Sequence, residues 1–440
     1  MIIQPAARIR GRLSVPGDKS ISHRAAIIAA LADGSSNLSN YSTSQDCAST
    51  VSCLRSLGVS IDQKGNNLRI DGRGTNGLSA SPTPLDCGNS GSTMRMLAGV
   101  LAGQNFGSVL TGDASLRSRP MKRIVEPLVL MGARVHAEDN RPPLGIEGSN
   151  PLKPINYNLP VASAQVKSCI LLAALNANGR TEVVERLGPT RDHTERMLRW
   201  FDVPLEIDAA NDESSTRTIT INGPVRYAAR DLSIPGDISS AAFLIGAAVL
   251  LPGSRLQVQN VGLNPTRVQI LLLLMSLGFD IKITGRREDG NEPLGDLIIS
   301  GKASVGEGGS HQPCSIHGPL IAQLIDELPL LAVLGSQLSG GLQIRDAAEL
   351  RLKETDRIAA TVANLRAMGA EVEEYDDGLA VAGPTALRGA QLDSFGDHRI
   401  AMAFTVGALL ADGDSELLGA DCVAVSFPEF FTLLSSVVER

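Results

Sequence analysis

The hexapeptide Leu13-Ser14-Val15-Pro16-Gly17-Asp18 returns half a chain later as Leu232-Ser233-Ile234-Pro235-Gly236-Asp237. Self-similarity at this spacing restricts the chain to folds built by duplication. Each copy leads into a helix of small apolar residues, Ser20–Leu31 in the first and Ser239–Leu250 in the second. A finer period runs inside each half. Six segments share a helix rich in Ala, Leu and Gly, then a turn, then a short β-like run: Ser20–Leu38, Ser90–Leu110, Ala162–Val183, Ser239–Leu256, Asp326–Ile344 and Gly396–Leu417. Their turns, such as Ala32-Asp33-Gly34 and Ala411-Asp412-Gly413, carry helix-ending residues.

Five of the six continue into a second, amphipathic helix with a tail such as Leu57-Gly58-Val59 or Met368-Gly369-Ala370. Glycine there accepts the left-handed backbone that closes a helix before a strand. The pattern reads as six βαβ-type units, three per half. The first helix of each unit, apolar nearly all round, is expected to be buried, and the second to be more exposed. At 440 residues the chain exceeds one ordinary core. Two domains are expected, with breaks near Asp18–Lys19 and Ser233–Gly236, and a cleft between such domains is a natural ligand site.

Composition narrows the function. A net charge of −7 and 3% aromatics argue against nucleic-acid surfaces, which need a basic stripe or a stacking face. The six cysteines lie far apart, with no CxxC pair and no zinc spacing, so reduced, buried thiols in a cytoplasmic protein are expected. The longest apolar stretches are too short to span a bilayer. Gly72-Arg73-Gly74-Thr75-Asn76-Gly77 matches the dinucleotide pattern, but Pro82 and Pro84 forbid the helix that must follow, so it reads as a glycine turn.

The surviving signals are polar residues at helix starts. Lys19 in a first turn faces the positive end of the helix dipole, unfavourable by about 0.3–1 kcal/mol. An anion there reverses the sign, with free N–H groups, the Ser20 hydroxyl and Lys19 converging on it. Arg24 projects from the same face. The second copy is an internal control: Ile238 and Phe243 replace the two cations while turn and helix persist. The loop Asp86–Thr93 suits a backbone cradle for an anion or a plain N-cap. Ser115–Arg123 reads as a basic loop. Ser163 and Gln165 open the third apolar helix, as cap or as ligand contacts, and Arg191 follows. Asp326 and Glu327 stand among apolar residues at a helix start, as an N-cap or as carboxylates with a pKa raised for proton transfer. Arg351–Arg357 is densely charged and joins a helix with Thr355 as its cap. Asp397-His398-Arg399 opens the sixth apolar helix, His398 being a structural imidazole or a catalyst.

Together the motifs GDKSISHR, GNSGSTMR, SRPM, SAQVKS, LIDELP, RLKETDRI and GDHRIAMAF, in this order, resemble the 5-enolpyruvylshikimate-3-phosphate synthase family over almost the whole chain. Arg119-Pro120-Met121 and Ser163-Ala164-Gln165 resemble its second class, some members of which tolerate glyphosate. The resemblance implies an α/β fold, a two-domain inside-out α/β barrel (EPT/RTPC-like) with three βαβαββ units per domain, six in all. Domain I would hold 1–18 plus 235–440, domain II 19–234, with the active site in the interdomain cleft. It implies transfer of the enolpyruvyl group of phosphoenolpyruvate to the 5-hydroxyl of shikimate 3-phosphate, by addition and elimination through a tetrahedral intermediate, in aromatic amino-acid biosynthesis. No metal and no cofactor is implied.

By the same resemblance Ser20, Arg24 and Ser163 hold shikimate 3-phosphate, with Arg191 near it and Ala164 among the substrate-binding residues. Lys19, Gly91, Arg119, Gln165, Arg357 and Arg399 bind phosphoenolpyruvate. Asp326 takes the proton of the 5-hydroxyl and Lys353 assists. Glu354 and Lys19 are candidates for proton transfer at the methylene and the bridging oxygen. The implied partners are these two substrates and glyphosate as inhibitor, for a cytoplasmic monomer with no nucleic-acid or membrane partner. One departure stands out: Val425 occupies a position, two residues before Phe427-Pro428, where many relatives carry Lys. Two alternatives remain. UDP-N-acetylglucosamine enolpyruvyl transferases have Lys-Asn where Lys19-Ser20 stand. A non-catalytic phosphate-binding protein on the same scaffold has no use for Asp326, Lys353 and Glu354 together.

Overall fold

The computed structural model describes residues 1–209, 216–301 and 313–440. Its α-helices in chain order are α1 (Lys19–Ala30), α2 (Gln45–Ser56), α3 (Gly91–Ala102), α4 (Ala114–Ser118), α5 (Lys122–Leu130), α6 (Ala164–Ala174) and α7 (His193–Trp200). There follow α8 (Ile238–Leu250), α9 (Gln269–Ser276), α10 (Pro319–Leu324), α11 (Leu328–Gly335), α12 (Arg357–Ala367), α13 (His398–Leu410) and α14 (Phe430–Ser435).

The apolar helices begin on polar caps, which satisfy the first free N–H groups. Asp18 accepts from the Ile21 amide at 2.9 Å, Asp237 from Ser239 at 2.9 Å and Asp397 from Arg399 at 2.7 Å. Ser90 and Ser163 do the same for α3 and α6. Helix α11 differs, with no side-chain hydrogen bond at its start. Burial is complete from Ile21 to Ala30 in α1 and along all of α8 and α11. Small residues permit this density. A Cβ on Gly99 would stand 2.1 Å from the Cys169 carbonyl oxygen, so α3 and α6 meet backbone to backbone.

Around these helices the chain runs strand, helix, strand, helix, strand, strand. Leu85–Asp86 pairs parallel with Gly107–Thr111, which pairs antiparallel with Leu144–Glu147, itself antiparallel to Arg134–His136. The buried helix supplies the crossover that a parallel pair requires. Two further sheets repeat this order, Asn156–Asn158, Gly179–Glu185, Arg217–Gly223, Leu205–Ala209 and Cys314–Ile316, Leu342–Ile344, Gly378–Val381, Val372–Tyr375. The recurring hexapeptide ends the strand that leads such a unit. Leu232–Ser233 lies parallel to Leu38–Ser39, and Arg8–Ser14 parallel to the strand after α8. Gly17 in the first copy is required, because a Cβ there would stand 1.8 Å from the Asn40 carbonyl oxygen.

The chain divides into two compact units. One comprises Met1–Pro16, Gly236–Arg287 and Pro293–Arg440, the other Gly17–Pro235 with Glu288–Glu292. Each has its own apolar core, around α8, α11 and α13 in the first and α1, α3 and α6 in the second. Helices inside and sheets outside, three repeats to a unit, is the inside-out arrangement.

Two local expectations need correction. The sixth repeat does have a second helix, α14, which escapes detection because no glycine tail follows it. Ser115–Arg123 is not a loop. Asp113 caps α4 by accepting from the Leu116 amide at 2.7 Å, and Pro120 then separates α4 from α5. Within Gly72–Gly77, Gly72 and Arg73 end the strand Asn67–Arg73 and a turn follows at Thr75–Asn76, with the next helix starting only at Gly91.

Candidate active site

In the first unit, four elements bring charged side chains to one place. Asp397 caps α13, and its Oδ2 also accepts from Arg357 Nε at 2.7 Å. Arg357 opens α12, whose cap is Asp356, accepting from the Ala359 amide at 3.0 Å. Thr355, expected as that cap, stands one residue too early. The Arg357 side chain is 2% exposed and also meets Glu354 Oε2 at 2.6 Å and Asp326 Oδ1 at 3.6 Å. Burial alone would lower its pKa, but the carboxylates of Asp397, Glu354 and Asp326 outweigh burial and hold it above the ordinary arginine value. Asp326 is not an N-cap: α11 starts after Glu327 without a side-chain cap bond, and Asp326 faces the guanidinium instead. Asp326 and Glu354 keep 21% of their side chains exposed, so a ligand can reach them.

Arg399 lies 3.7 Å from Glu327 Oε1, with its guanidinium 5.9 Å from the centre of the Phe243 ring. Phe243 is the repeat counterpart of Arg24, so the copy that lost one cation supports another from below. Arg357 Nη1 and Arg399 Nη1 are buried with no hydrogen-bond partner among the described residues. Each is the atom nearest a carboxylate, Arg357 Nη1 at 3.6 Å from Asp326 and Arg399 Nη1 at 3.7 Å from Glu327, beyond hydrogen-bond distance, which leaves both able to donate to a ligand. Lys353 is half-buried, 3.5 Å from Glu349 Oε1, and His398 is buried at the start of α13. Val425 ends a short 3₁₀ helix, Ala420–Val425, and is half-buried.

In the second unit, Lys19 Nζ pairs with Asp46 Oδ2 at 2.7 Å. Asp46 offsets the unfavourable dipole at the start of α1, a role for which its place in the first turn of α2 gave no sign. Arg24 is 4% exposed. It donates to Thr194 Oγ1 at 2.7 Å, Ser168 Oγ at 3.0 Å and the Ser20 carbonyl at 2.7 Å. Burial pulls its pKa down to about 10, with Glu195 and Asp18 opposing.

Arg95 Nη1 donates to Gln165 Oε1 at 2.6 Å, and Gln165 Nε2 donates to Ser92 Oγ at 2.9 Å. A Cβ on Gly91 would stand 2.6 Å from Arg95 Nη1, so the missing side chain makes room for that arginine. Arg119 donates to Asn89 Oδ1 at 2.8 Å. Gly91, Arg119 and Gln165 are thus gathered at the starts of α3 and α6, with Arg95 between them. Ser163 uses its hydroxyl to cap α6, Ala164 is the first helical residue, and Arg191 is half-buried two residues before α7. Sequence reasoning passed over Arg95, although a cation inside so apolar a helix was a usable signal. Asp46, Ser168 and Thr194 carried none, and Asp397 signalled only a helix start.

Among the described residues no group of three or more His, Cys, Asp or Glu side chains is arranged to hold a metal ion, and no helix is long and apolar enough to cross a membrane. The six cysteines are free, four of them buried and Cys314 and Cys422 partly exposed.

Comparison with known proteins agrees with this architecture. A family model for EPSP synthase (3-phosphoshikimate 1-carboxyvinyltransferase) matches residues 3–434. The 3-phosphoshikimate 1-carboxyvinyltransferase of Solibacter usitatus (strain Ellin6076) is 49% identical over 438 residues, 99% of each chain. That of Koribacter versatilis (strain Ellin345) is 50% identical over 439 residues, covering 100% of this chain and 99% of the relative. The structure of EPSP synthase from Acinetobacter baumannii matches with a TM-score of 0.85 and 38% identity, covering 99% of this chain and 98% of that one. The enolpyruvyl transferase NikO from Streptomyces tendae, at 18% identity and a TM-score of 0.79 over 99% of this chain and 96% of that one, shares the fold. The fold is therefore the two-domain enolpyruvyl-transferase fold, and the chain belongs to the EPSP synthase family, the 3-phosphoshikimate 1-carboxyvinyltransferases.

Proposed function

We propose that the chain transfers the enolpyruvyl group of phosphoenolpyruvate to the 5-hydroxyl of shikimate 3-phosphate. The observation that carries the assignment of roles is the Arg357 cluster. Two partly exposed carboxylates, Asp326 and Glu354, flank a buried guanidinium, and the Nη1 groups of Arg357 and Arg399 have no hydrogen-bond acceptor among the described residues. Phosphoenolpyruvate brings a carboxylate and a phosphate to such donors. Arg357 and Arg399 bind it together with Lys19, Gly91, Arg119 and Gln165. Ser20, Arg24, Ser163, Ala164 and Arg191 bind shikimate 3-phosphate, and Lys353 assists there.

Asp326 removes the proton of the 5-hydroxyl as the oxygen bonds to C2 of phosphoenolpyruvate. Glu354 or Lys19 gives a proton to C3, which yields the tetrahedral intermediate. Loss of a C3 proton and protonation of the bridging oxygen then expel phosphate and restore the double bond. The guanidinium groups stabilise the charge that gathers on the departing phosphate. Every proton removed or delivered is within the capacity of carboxylate and ammonium groups. Val425 leaves one cation fewer on the phosphoenolpyruvate side than in relatives with Lys. Glyphosate, which carries a phosphonate and a carboxylate, is the inhibitor suited to the same donors. The free cysteines support a reducing, cytoplasmic setting.

Phosphate release tests the assignment. The enzyme is expected to release phosphate from phosphoenolpyruvate when shikimate 3-phosphate is the acceptor. Release with UDP-N-acetylglucosamine alone overturns it.

A further inference from the structure

In the second unit, the Lys167 side chain is 0% exposed and sits between two carboxylates almost as deeply buried, Glu185 Oε1 at 2.9 Å and Glu195 Oε1 at 2.6 Å. Taking an ammonium and two carboxylates out of water carries a desolvation cost on the order of what their attraction returns, and apolar residues of equal volume commonly serve stability as well or better. Packing therefore gives α6, whose other buried residues are Val166, Ser168, Cys169 and the run of Ile, Leu and Ala from Ile170 to Ala174, no reason to hold a lysine here.

The placement of the three charges supplies a reason. Lys167 is on α6, Glu195 on α7, and Glu185 ends the strand Gly179–Glu185. Their chain neighbours Ser168 and Thr194 have hydroxyls 2.6 Å apart, and both accept from the Arg24 guanidinium. One ion pair thus ties α6 to α7 at the level where adjacent residues form the bed of Arg24. Glu185 Oε1 also accepts from the Thr190 amide at 3.0 Å and from its hydroxyl at 2.6 Å, which fixes the turn that carries Arg191. Ser168 Oγ donates to the Ala164 carbonyl at 2.7 Å, which joins the same bed to the first turn of α6. The three buried groups sum to one negative charge, and Arg24 is a buried cation beside them.

We propose that Lys167, Glu185 and Glu195 are positioning residues that hold Arg24, Arg191 and the Ser163–Gln165 turn as one rigid receptor for the phosphorylated substrate, shikimate 3-phosphate. This rests on the assignment of Arg24 to that substrate.

The test uses the full-length enzyme and two variants of near-constant volume, Glu195→Gln and the triple Lys167→Met, Glu185→Gln, Glu195→Gln, with Arg24→Lys assayed in parallel. Both variants are expected to raise KM for shikimate 3-phosphate about tenfold or more, to leave KM for phosphoenolpyruvate within about twofold, and to change kcat by less than about threefold. The triple variant is expected to melt no lower than the parent, since it no longer buries charge. An unchanged KM for shikimate 3-phosphate in a folded variant overturns the proposal, as does an equal rise for both substrates. Should only Glu195→Gln fold, its split between the two KM values decides alone. If Arg24→Lys leaves KM for shikimate 3-phosphate unchanged, the assignment of Arg24 is at fault and the proposal falls with it. Absence of turnover with shikimate 3-phosphate in the parent enzyme identifies failure of the functional reading itself.

Discussion

Asp397 holds two helices at once: it caps α13 through the Arg399 amide at 2.7 Å and fixes the first residue of α12 through Arg357 Nε, also at 2.7 Å. The carboxylate is 0% exposed and the guanidinium 2%, so neither has water as a substitute partner. Asp397→Asn keeps a good capping side chain but breaks the ion pair, and removing one member of a buried pair costs about 3–5 kcal/mol. Asp397→Ala is expected to lose roughly 1 kcal/mol more, for the cap. Urea unfolding of both variants measures the two steps separately. Equal stabilities for Asn and Ala would show that the cap contributes nothing.

Asp326 lies 3.6 Å from Arg357 and keeps 21% of its side chain exposed, so it can meet a substrate hydroxyl. A general base of this kind contributes about 10²–10⁴-fold to turnover. Asp326→Asn preserves shape and hydrogen bonding, so ligand binding should persist while kcat falls by that factor. Calorimetric titration and a phosphate-release assay check the two halves. Near-normal turnover refutes the assigned base.

His23 predicts a dependence of stability on pH. It is wholly buried beside Arg24, with Nδ1 2.7 Å from Thr50 Oγ1. Burial lowers its pKa well below 6.5, helped by the charges of Lys19 and Arg24 and opposed by Asp18. Between the lowered value and about 6.5 the unfolded chain binds a proton that the folded protein refuses, so stability rises with pH there. The contribution is intact above about pH 6.5 and is lost below it, at up to about 1.4 kcal/mol per pH unit. Urea unfolding at pH 7.5 and 5.5 reads the slope, and His23→Asn is expected to flatten it. An unaltered slope assigns the effect to other groups.

How much of this was legible depends on how local each cause is. The six buried helices were, because a helix surrounded by protein needs Ala, Leu and Gly on every face, and that composition is read along a dozen residues. Most of their caps were legible for the same reason, though at the start of α12 Thr355 and Asp356 compete one residue apart and only the backbone path decides between them. Partners were not. Lys19 finds Asp46, Arg357 finds Asp397, and Arg24 finds Thr194 from 170 positions away. A charged residue in a local window reads as a solvated face, and nothing in the window names the residue that tertiary folding places opposite. Hence the local sequence leaves Asp326 open between cap and base, and it is the tertiary contact with Arg357 that sets it apart from a cap.

Gly99 couples packing to the candidate site. It lies on α3 where that helix crosses α6, and a Cβ would stand 2.1 Å from the Cys169 carbonyl oxygen, 2.9 Å from its carbon and 3.0 Å from its Cα. All three obstacles are backbone, so Gly99→Ala must push the helices apart rather than rotate a side chain aside. Overpacking of this sort costs about 1–3 kcal/mol. The displacement also strains the bridge between the same two helices, Arg95 Nη1 to Gln165 Oε1 at 2.6 Å, which lies toward their starts beside Gly91. Gly99→Ala is therefore expected to lower the melting temperature by several degrees and to raise KM for phosphoenolpyruvate more than KM for shikimate 3-phosphate. Gly107→Ala is the control. A Cβ there meets nothing within 4 Å, so neither quantity should move appreciably. If Gly99→Ala melts and binds like the control, the close approach of α3 and α6 does not set the geometry of the Gln165 bridge.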